Sequence, residues 1–209
     1  MKKFLFMLIL VIGILYLSDA VADDLFLTDV SIGERINLGL NCSAIIPTED
    51  DSEVGIFAGG LLSYDILKYL AVGIEGGYAG YDIEYEDIKF GTLNSWPLLG
   101  DVILKAPMDV EDFTFTPYGV FGAGVLFSSF DESSILEAIG INIDTDTAFL
   151  MKFGSGIDFY VNDNLALNFE FSYYVVDIET DAQWGGQSFA TDEVEADAWL
   201  IGGGGKIRF

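Results

Sequence analysis

Asn162-Asp163-Asn164-Leu165-Ala166-Leu167-Asn168-Phe169-Glu170-Phe171-Ser172-Tyr173-Tyr174 decides how this chain is read. A polar trio of turn-forming residues is followed by strict alternation. Leu165, Leu167, Phe169, Phe171 and Tyr173 are large and apolar, while Ala166, Asn168, Glu170, Ser172 and Tyr174 stand between them. Successive side chains of a strand point to opposite faces, so this stretch has one apolar face and one small or polar face.

The same period runs outward from it. Phe149, Met151, Phe153, Ile157 and Phe159 alternate with Lys152, Gly154, Gly156 and Asp158. Phe113, Phe115, Phe121, Val125 and Phe127 alternate with Thr114, Thr116, Gly122, Gly124 and Ser128. At the end of the chain, Trp199, Ile201, Ile207 and Phe209 alternate with Gly202, Gly204, Lys206 and Arg208. The pattern predicts eight strands, over 33–46, 53–65, 69–82, 93–106, 112–129, 147–161, 165–179 and 194–209. Short links fall near 65–68, 107–111 and 162–164, and longer ones cover 47–52, 83–92, 130–146 and 180–193. An even strand count with alternating short and long links is the layout of an up-and-down transmembrane barrel, whose short turns face the periplasm and whose long loops face outside. Several of the segments are long enough to cross a bilayer with tilt. The fold class expected is therefore all-β: an eight-stranded antiparallel transmembrane β-barrel with short periplasmic turns and longer acidic extracellular loops. A secreted soluble β-sandwich or barrel that binds a ligand would show the same alternation with its apolar face inward, and it stands as an alternative.

Composition narrows the functions. The 209 residues carry 9 Lys and Arg against 34 Asp and Glu, a formal net charge of −25. Yet 51% of residues are hydrophobic and the mean hydropathy is +0.41. Such acidity rules against nucleic-acid binding, which needs clustered Lys and Arg. There is no histidine, so the commonest general base and metal ligand is missing. The single cysteine, Cys42, excludes an intrachain disulfide and a thiolate zinc site.

Lys2 and Lys3 precede an apolar run from Phe4 to Leu17, followed by Ser18-Asp19-Ala20-Val21-Ala22. A charged start, an apolar core and small residues before a cut form the pattern of a secretory signal peptide. The run is too short to span a bilayer. The expected organisation is a cleaved signal peptide over 1–22 and a barrel domain over 23–209. Cleavage leaves 187 residues with seven basic and 33 acidic side chains, because Lys2, Lys3 and Asp19 are removed.

Three segments carry a more specific resemblance. Lys68-Tyr69-Leu70-Ala71-Val72-Gly73-Ile74-Glu75-Gly76-Gly77-Tyr78 is similar to the third strand of small outer-membrane barrels. Thr116-Pro117-Tyr118-Gly119-Val120-Phe121-Gly122-Ala123-Gly124 resembles their fifth strand, and Asn162 to Glu170 resembles their last tight turn and seventh strand. Over essentially the whole mature chain, the order and spacing resemble the eight-stranded group that includes OmpW-like porin-family proteins and the OmpA transmembrane domain. The resemblance implies an outer-membrane location. It also implies that the aromatic C-terminus, Phe209, serves as the signal read by the barrel-assembly machinery during insertion. A tyrosine commonly stands two residues before that aromatic in the group, and here the position is Ile207. No peptidoglycan-binding domain is expected after the barrel.

The charges sort by face under this reading. Twenty acids and Lys89 fall in the outer loops and strand ends, while nine acids, Asp65 among them, join Lys68 on the periplasmic side. The inward face holds Glu75, Asp101, Asp158 and Glu170 against Arg35, Lys105, Lys152, Lys206 and Arg208. These nine are the candidate lumen ion pairs, with Lys152 and Glu170 expected on adjacent strands at similar depth. An eight-stranded barrel is just wide enough for its own side chains to fill it, so a largely plugged lumen is the first reading. The alternative is an OmpW-like narrow passage for small hydrophobic molecules, its upper part lined by Phe57, Leu61, Leu126, Leu150 and Leu200. Wide porins need about 16–18 strands and are not expected.

Barrel enzymes of this architecture rely on a histidine, so no catalytic residue is assigned and no enzyme activity is expected. The sequence offers no cofactor and no defined metal site. Asp144-Thr145-Asp146 lacks the spacing of a calcium loop. Expected partners are outer-membrane lipid and lipopolysaccharide, with divalent cations at the acidic loops as one reading and simple solvation as the other. Ser133 to Ile139 reads as a possible short loop helix. Trp96, Trp184, Trp199, Tyr78, Tyr81, Tyr173 and Tyr174 are candidates for an interfacial aromatic girdle.

Overall fold

A computed structural model describes residues 35–48, 54–85, 88–110, 113–132, 141–145, 147–184 and 187–209. Residues 1–22, expected to be a signal peptide, the acids over 49–53 and the stretch 133–140 lie outside the described residues. The strands are β1 (Ile36–Pro47), β2 (Gly55–Leu67), β3 (Leu70–Tyr85), β4 (Ile88–Lys105), β5 (Met108–Val110), β6 (Phe113–Glu132), β7 (Ile141–Thr145), β8 (Ala148–Asn162), β9 (Leu165–Trp184), β10 (Gln187–Glu195) and β11 (Ala198–Arg208). Eight of them close a ring in the order β1-β2-β3-β4-β6-β8-β9-β11, with β11 returning to β1; every pairing is antiparallel. The chain is an eight-stranded antiparallel barrel.

The ladders also fix the shear. From Gly76, pairing leads through Leu98 and Val125 to Phe149. In the other direction it leads through Gly60, Leu40, Gly205 and Leu167 to Phe159. Both endpoints lie on β8, ten residues apart. Closure with such a stagger requires strongly tilted strands, about 35–45° from the axis.

Alternation sends the large apolar residues outward. Leu40, Ile56, Leu62, Ile74, Leu98, Phe149, Leu167, Phe169, Phe171 and Ile201 are exposed, while the residues between them are buried or half-buried. A water-soluble barrel would bury the apolar set instead, so this face is built to meet hydrocarbon. Rings stack near its upper edge. Trp199 lies 4.8 Å from Phe171 and 4.4 Å from Tyr173, and Tyr78 lies 5.9 Å from Trp96. Tyr174 does not belong to this girdle. It is an inward residue of β9, 7% exposed, as the parity of the strand requires. The side chains of Tyr81 and Trp184 lie outside the described set.

Two expectations about the links are corrected. The stretches 83–92 and 180–193 read as loops, yet β3 and β4 continue to Tyr85 and from Ile88, and β9 runs on to Trp184 beside β10. Likewise β6 reaches Glu132 and β7 occupies part of the third long link. Above the apolar band β9 is flanked by β7 on one side and β10 on the other. Backbone ladders in water need no apolar face, so the loss of hydrophobic period at these acidic stretches did not mark the end of pairing.

At the opposite end the turns are tight. Asn162 accepts hydrogen bonds through Oδ1 from the backbone N–H groups of Asn164 and Leu165, both at 2.9 Å, an Asx turn that starts β9. The Asn164 amide also donates to the backbone carbonyl of Arg208 at 3.0 Å, tying this turn to the last strand.

Candidate functional site

The inward residues form layers along the barrel. The uppermost is apolar: Phe57, Leu126, Leu150 and Leu200 pack with Ile45, Leu93, Leu99, Val176 and Ile178. Four of the five expected upper-lumen residues therefore meet in one cluster. Leu61 does not join them. It lies two inward positions further down β2 than Phe57 and packs on Ala71, Ile103, Tyr118 and Val120 in a separate lower cluster. Beside the upper cluster lies a partly open cavity of about 40 Å³ bordered by Ile45, Phe57, Ala79, Leu126, Leu150 and Leu200 among others. Glycines make room for its largest ring. A Cβ at Gly59 or Gly77 would meet the Phe57 ring at 2.4 or 2.6 Å.

Below the apolar layer sits Lys152, 1% exposed. Its ammonium donates to Glu75 at 2.5 Å and contacts Glu170 at 2.7 Å. Glu170 stands on the neighbouring strand β9, whereas Glu75 reaches in from β3 across the lumen. Two phenols complete these carboxylates: Tyr174 donates to Glu75 at 3.3 Å and Tyr118 donates to Glu170 at 2.9 Å. Gly156 leaves the space that the Tyr118 ring fills, since a Cβ there would meet that ring at 2.4 Å.

The network then continues downward. The Asn168 amide donates to Tyr118 at 2.7 Å and to Asp158 at 2.8 Å, and Asp158 accepts from Lys206 at 2.5 Å. At the base, Lys105 donates to Asp65 at 2.5 Å, and Asn37 donates to the same carboxylate at 3.2 Å. Arg208 donates to Asn37 at 3.3 Å and to the Tyr160 hydroxyl at 2.7 Å. Asn37 and Arg208 are register partners on the strands that close the ring. Arg35 precedes β1, and its backbone carbonyl accepts from Asn37 at 3.5 Å.

Glu75, Lys105, Lys152, Asp158, Glu170, Lys206 and Arg208, all expected lumen charges, thus make ion pairs or hydrogen bonds with one another or with inward polar partners. Asp101 is inward on β4 and 3% exposed, with its carboxylate over Gly122. Sequence reasoning placed Asp65 on the periplasmic rim, but its side chain turns into the lumen as the partner of Lys105. It also missed Tyr118, Tyr174, Asn37 and Asn168 as members of the network. Their inward parity was visible, while the partners of three of them stand on strands far away in sequence.

A polar network across the lumen has a physical consequence. The buried charges of Lys152, Glu75 and Asp158 are held by opposite charge and hydrogen bonds, without which burial would cost several kcal/mol per ion. The upper contacts link β3, β6, β8, β9 and β11, and those at the base link β1, β2, β4, β8 and β11.

A family model described as "Outer membrane protein beta-barrel domain" matches residues 14–206. Among curated proteins none matches the chain by sequence. Among solved structures, the outer membrane protein OprG from Pseudomonas aeruginosa superposes with a TM-score of 0.65 at 15% identity, over 85% of this chain and 97% of that one. Neisserial surface protein A gives 0.58 at 13% identity, over 83% and 97%. Outer Membrane Protein W of E. coli gives 0.53 at 15% identity, over 86% and 100%. At such identities these likenesses concern the fold.

Proposed function

The chain belongs to the outer membrane protein β-barrel domain family, and from that premise we propose that it is a closed-lumen barrel of the outer membrane, with a structural or surface-interaction role exercised by its outer ends. The observation that carries this reading is the three-way contact of Lys152 with Glu75 and Glu170, which joins β8, β3 and β9 across the middle of the lumen. The contacts of Lys206 with Asp158 and of Lys105 with Asp65 repeat the closure below it. In this role the chain is exported with loss of residues 1–22, Phe209 is the insertion signal, and the outer ends meet lipopolysaccharide. No catalytic step is part of it.

The second reading is a narrow passage for small hydrophobic molecules, favoured by the apolar cavity above Lys152. Its volume of about 40 Å³ suits about three or four waters, at roughly 10–15 Å³ each. A hydrophobic solute would have to displace Phe57 or Leu150 and then the ion pairs beneath. Single-protein conductance in planar bilayers separates the readings. The closed-lumen reading expects no steady current from the parent and a gain of conductance in Lys152→Ala or Glu170→Ala. Steady current or uptake of an apolar solute by the parent would establish the passage instead.

A further inference from the structure

We propose that Asp101 and Glu75 share one proton in the folded barrel at neutral pH, which makes the middle of the lumen a proton-binding site and the hold on Lys152 sensitive to pH. This applies whether or not the barrel conducts. The ladder brings the two acids together. Both point inward and both are buried, Glu75 at 2% and Asp101 at 3% exposure. Asp101 pairs with Gly73 and Glu75 with Leu99, so the acids are diagonal neighbours on β3 and β4, within reach of a long side chain. Their carboxyl groups are side-chain hydrogen-bond partners. On the other flank of β4, Gly122 pairs with Asp101 on one side and with Lys152 on the other. A Cβ at Gly122 would run into Asp101 Oδ1, so the missing side chain is what admits the carboxyl group.

The other donors of this layer are already committed. Glu75 accepts from Lys152 and Tyr174, and Glu170 accepts from Tyr118 and contacts Lys152. Among the described residues no ammonium, hydroxyl or N–H group donates to either buried oxygen of Asp101. Ionised carboxylates are acceptors only, so a hydrogen bond between two of them requires that one carry a proton. Like charges held in contact away from water cannot both persist, and such pairs retain one proton between them. Glu75 already has a cation and a phenol to hold its charge. The proton therefore belongs on Asp101, whose O–H donates to Glu75. Neighbouring cations offer no substitute. Lys105, two inward positions below Asp101 on β4, is bound to Asp65, and Lys206 is bound to Asp158. From β6 the inward side chain nearest this level that can titrate is Tyr118. With the proton in place two carboxylates surround one ammonium; without it there are three.

The unfolded chain gives up its carboxyl protons above about pH 4. A folded state that keeps one is favoured as pH falls and loses stability as pH rises, by up to about tenfold in the folding equilibrium constant per pH unit. The chain has no histidine, and ordinary carboxyl, α-amino and thiol groups titrate outside about pH 5.5–7. That window therefore isolates the pair.

The test uses the mature chain refolded in zwitterionic phospholipid vesicles. Infrared absorption in heavy water separates the carbonyl band of a protonated carboxyl group from carboxylate bands, and urea unfolding is followed across the same pH window. The parent is expected to show the protonated band at neutral pH and to lose stability toward tenfold per unit as pH rises. Asp101→Asn, whose amide donates to Glu75 at every pH, abolishes both signals. Glu75→Gln, whose amide donates to an ionised Asp101, does the same from the other end of the contact, so the test stands when only one variant folds. Asp163→Asn, at the exposed turn, preserves both. A parent with no such band and flat stability across the window, or a band and slope that persist in either lumen variant, overturns the shared proton.

Discussion

Lys152 holds two carboxylates from different sides of the barrel, and its removal leaves both Glu75 and Glu170 buried without their cation. Lys152→Met is therefore expected to destabilise the folded barrel by about 3–5 kcal/mol, the usual cost of breaking a buried pair from one side. Adding Glu75→Gln and Glu170→Gln to that variant should restore part of the loss, as read from urea unfolding in phospholipid vesicles. A second residue-scale prediction concerns Gly156. The Tyr118 ring occupies the volume that a side chain would need there. Gly156→Val should cost about 1–3 kcal/mol by overpacking. A double-mutant cycle with Tyr118→Ala should show strong coupling, and additive effects would refute the contact. The inward position of Lys152, Glu170 and Asp158 was legible in the sequence because parity along one strand is a local property. The pairing of Lys152 with Glu75, 77 residues away, was not legible. It depends on the stagger of the whole ring, which turns and bulges fix together. Asp65 was misplaced for a related reason: the bulge between Asp65 and Leu67 ends the strand later than its charge suggests.

Among the elements, β9 shows most clearly where a pattern of side chains stops being informative. Its lower half alternates without exception, whereas its upper half, from Asp177 to Trp184, is acidic and reads as loop. Yet this half is paired on both flanks, by β10 from Glu195 back to Gln187 and by β7 from Ile141 to Thr145. The backbone groups of residues 180–184 are consequently shared between two ladders. Hydrogen exchange should find the amides of 180–184 protected well beyond those of the open turn at Asp163 and Asn164. Exchange as fast as that turn would show that the outer extension does not persist in solution. Asp197 anchors this end: it accepts from the Tyr173 hydroxyl at 2.5 Å and from the Val176 N–H at 3.1 Å, and its backbone carbonyl accepts from Thr48. No periodicity argument could have found that contact, because it joins three chain segments at a rim where side-chain alternation has already ended.

For the whole molecule, the account turns on one sorting rule. Large apolar residues cover the outer face, while charged and polar side chains line the lumen below an inward apolar cluster. That rule reconciles a net charge of −25 with a mean hydropathy of +0.41, and it was readable from period and link length. The layered interior was not, since a barrel's depth relations appear only after closure. The most direct test is a nitroxide scan of β9 from Leu165 to Ser172 in lipid vesicles, recording collision with dissolved oxygen, which concentrates in hydrocarbon. The account predicts high accessibility at 165, 167, 169 and 171 and low accessibility at 166, 168, 170 and 172. Uniform accessibility, or the opposite phase, would contradict it.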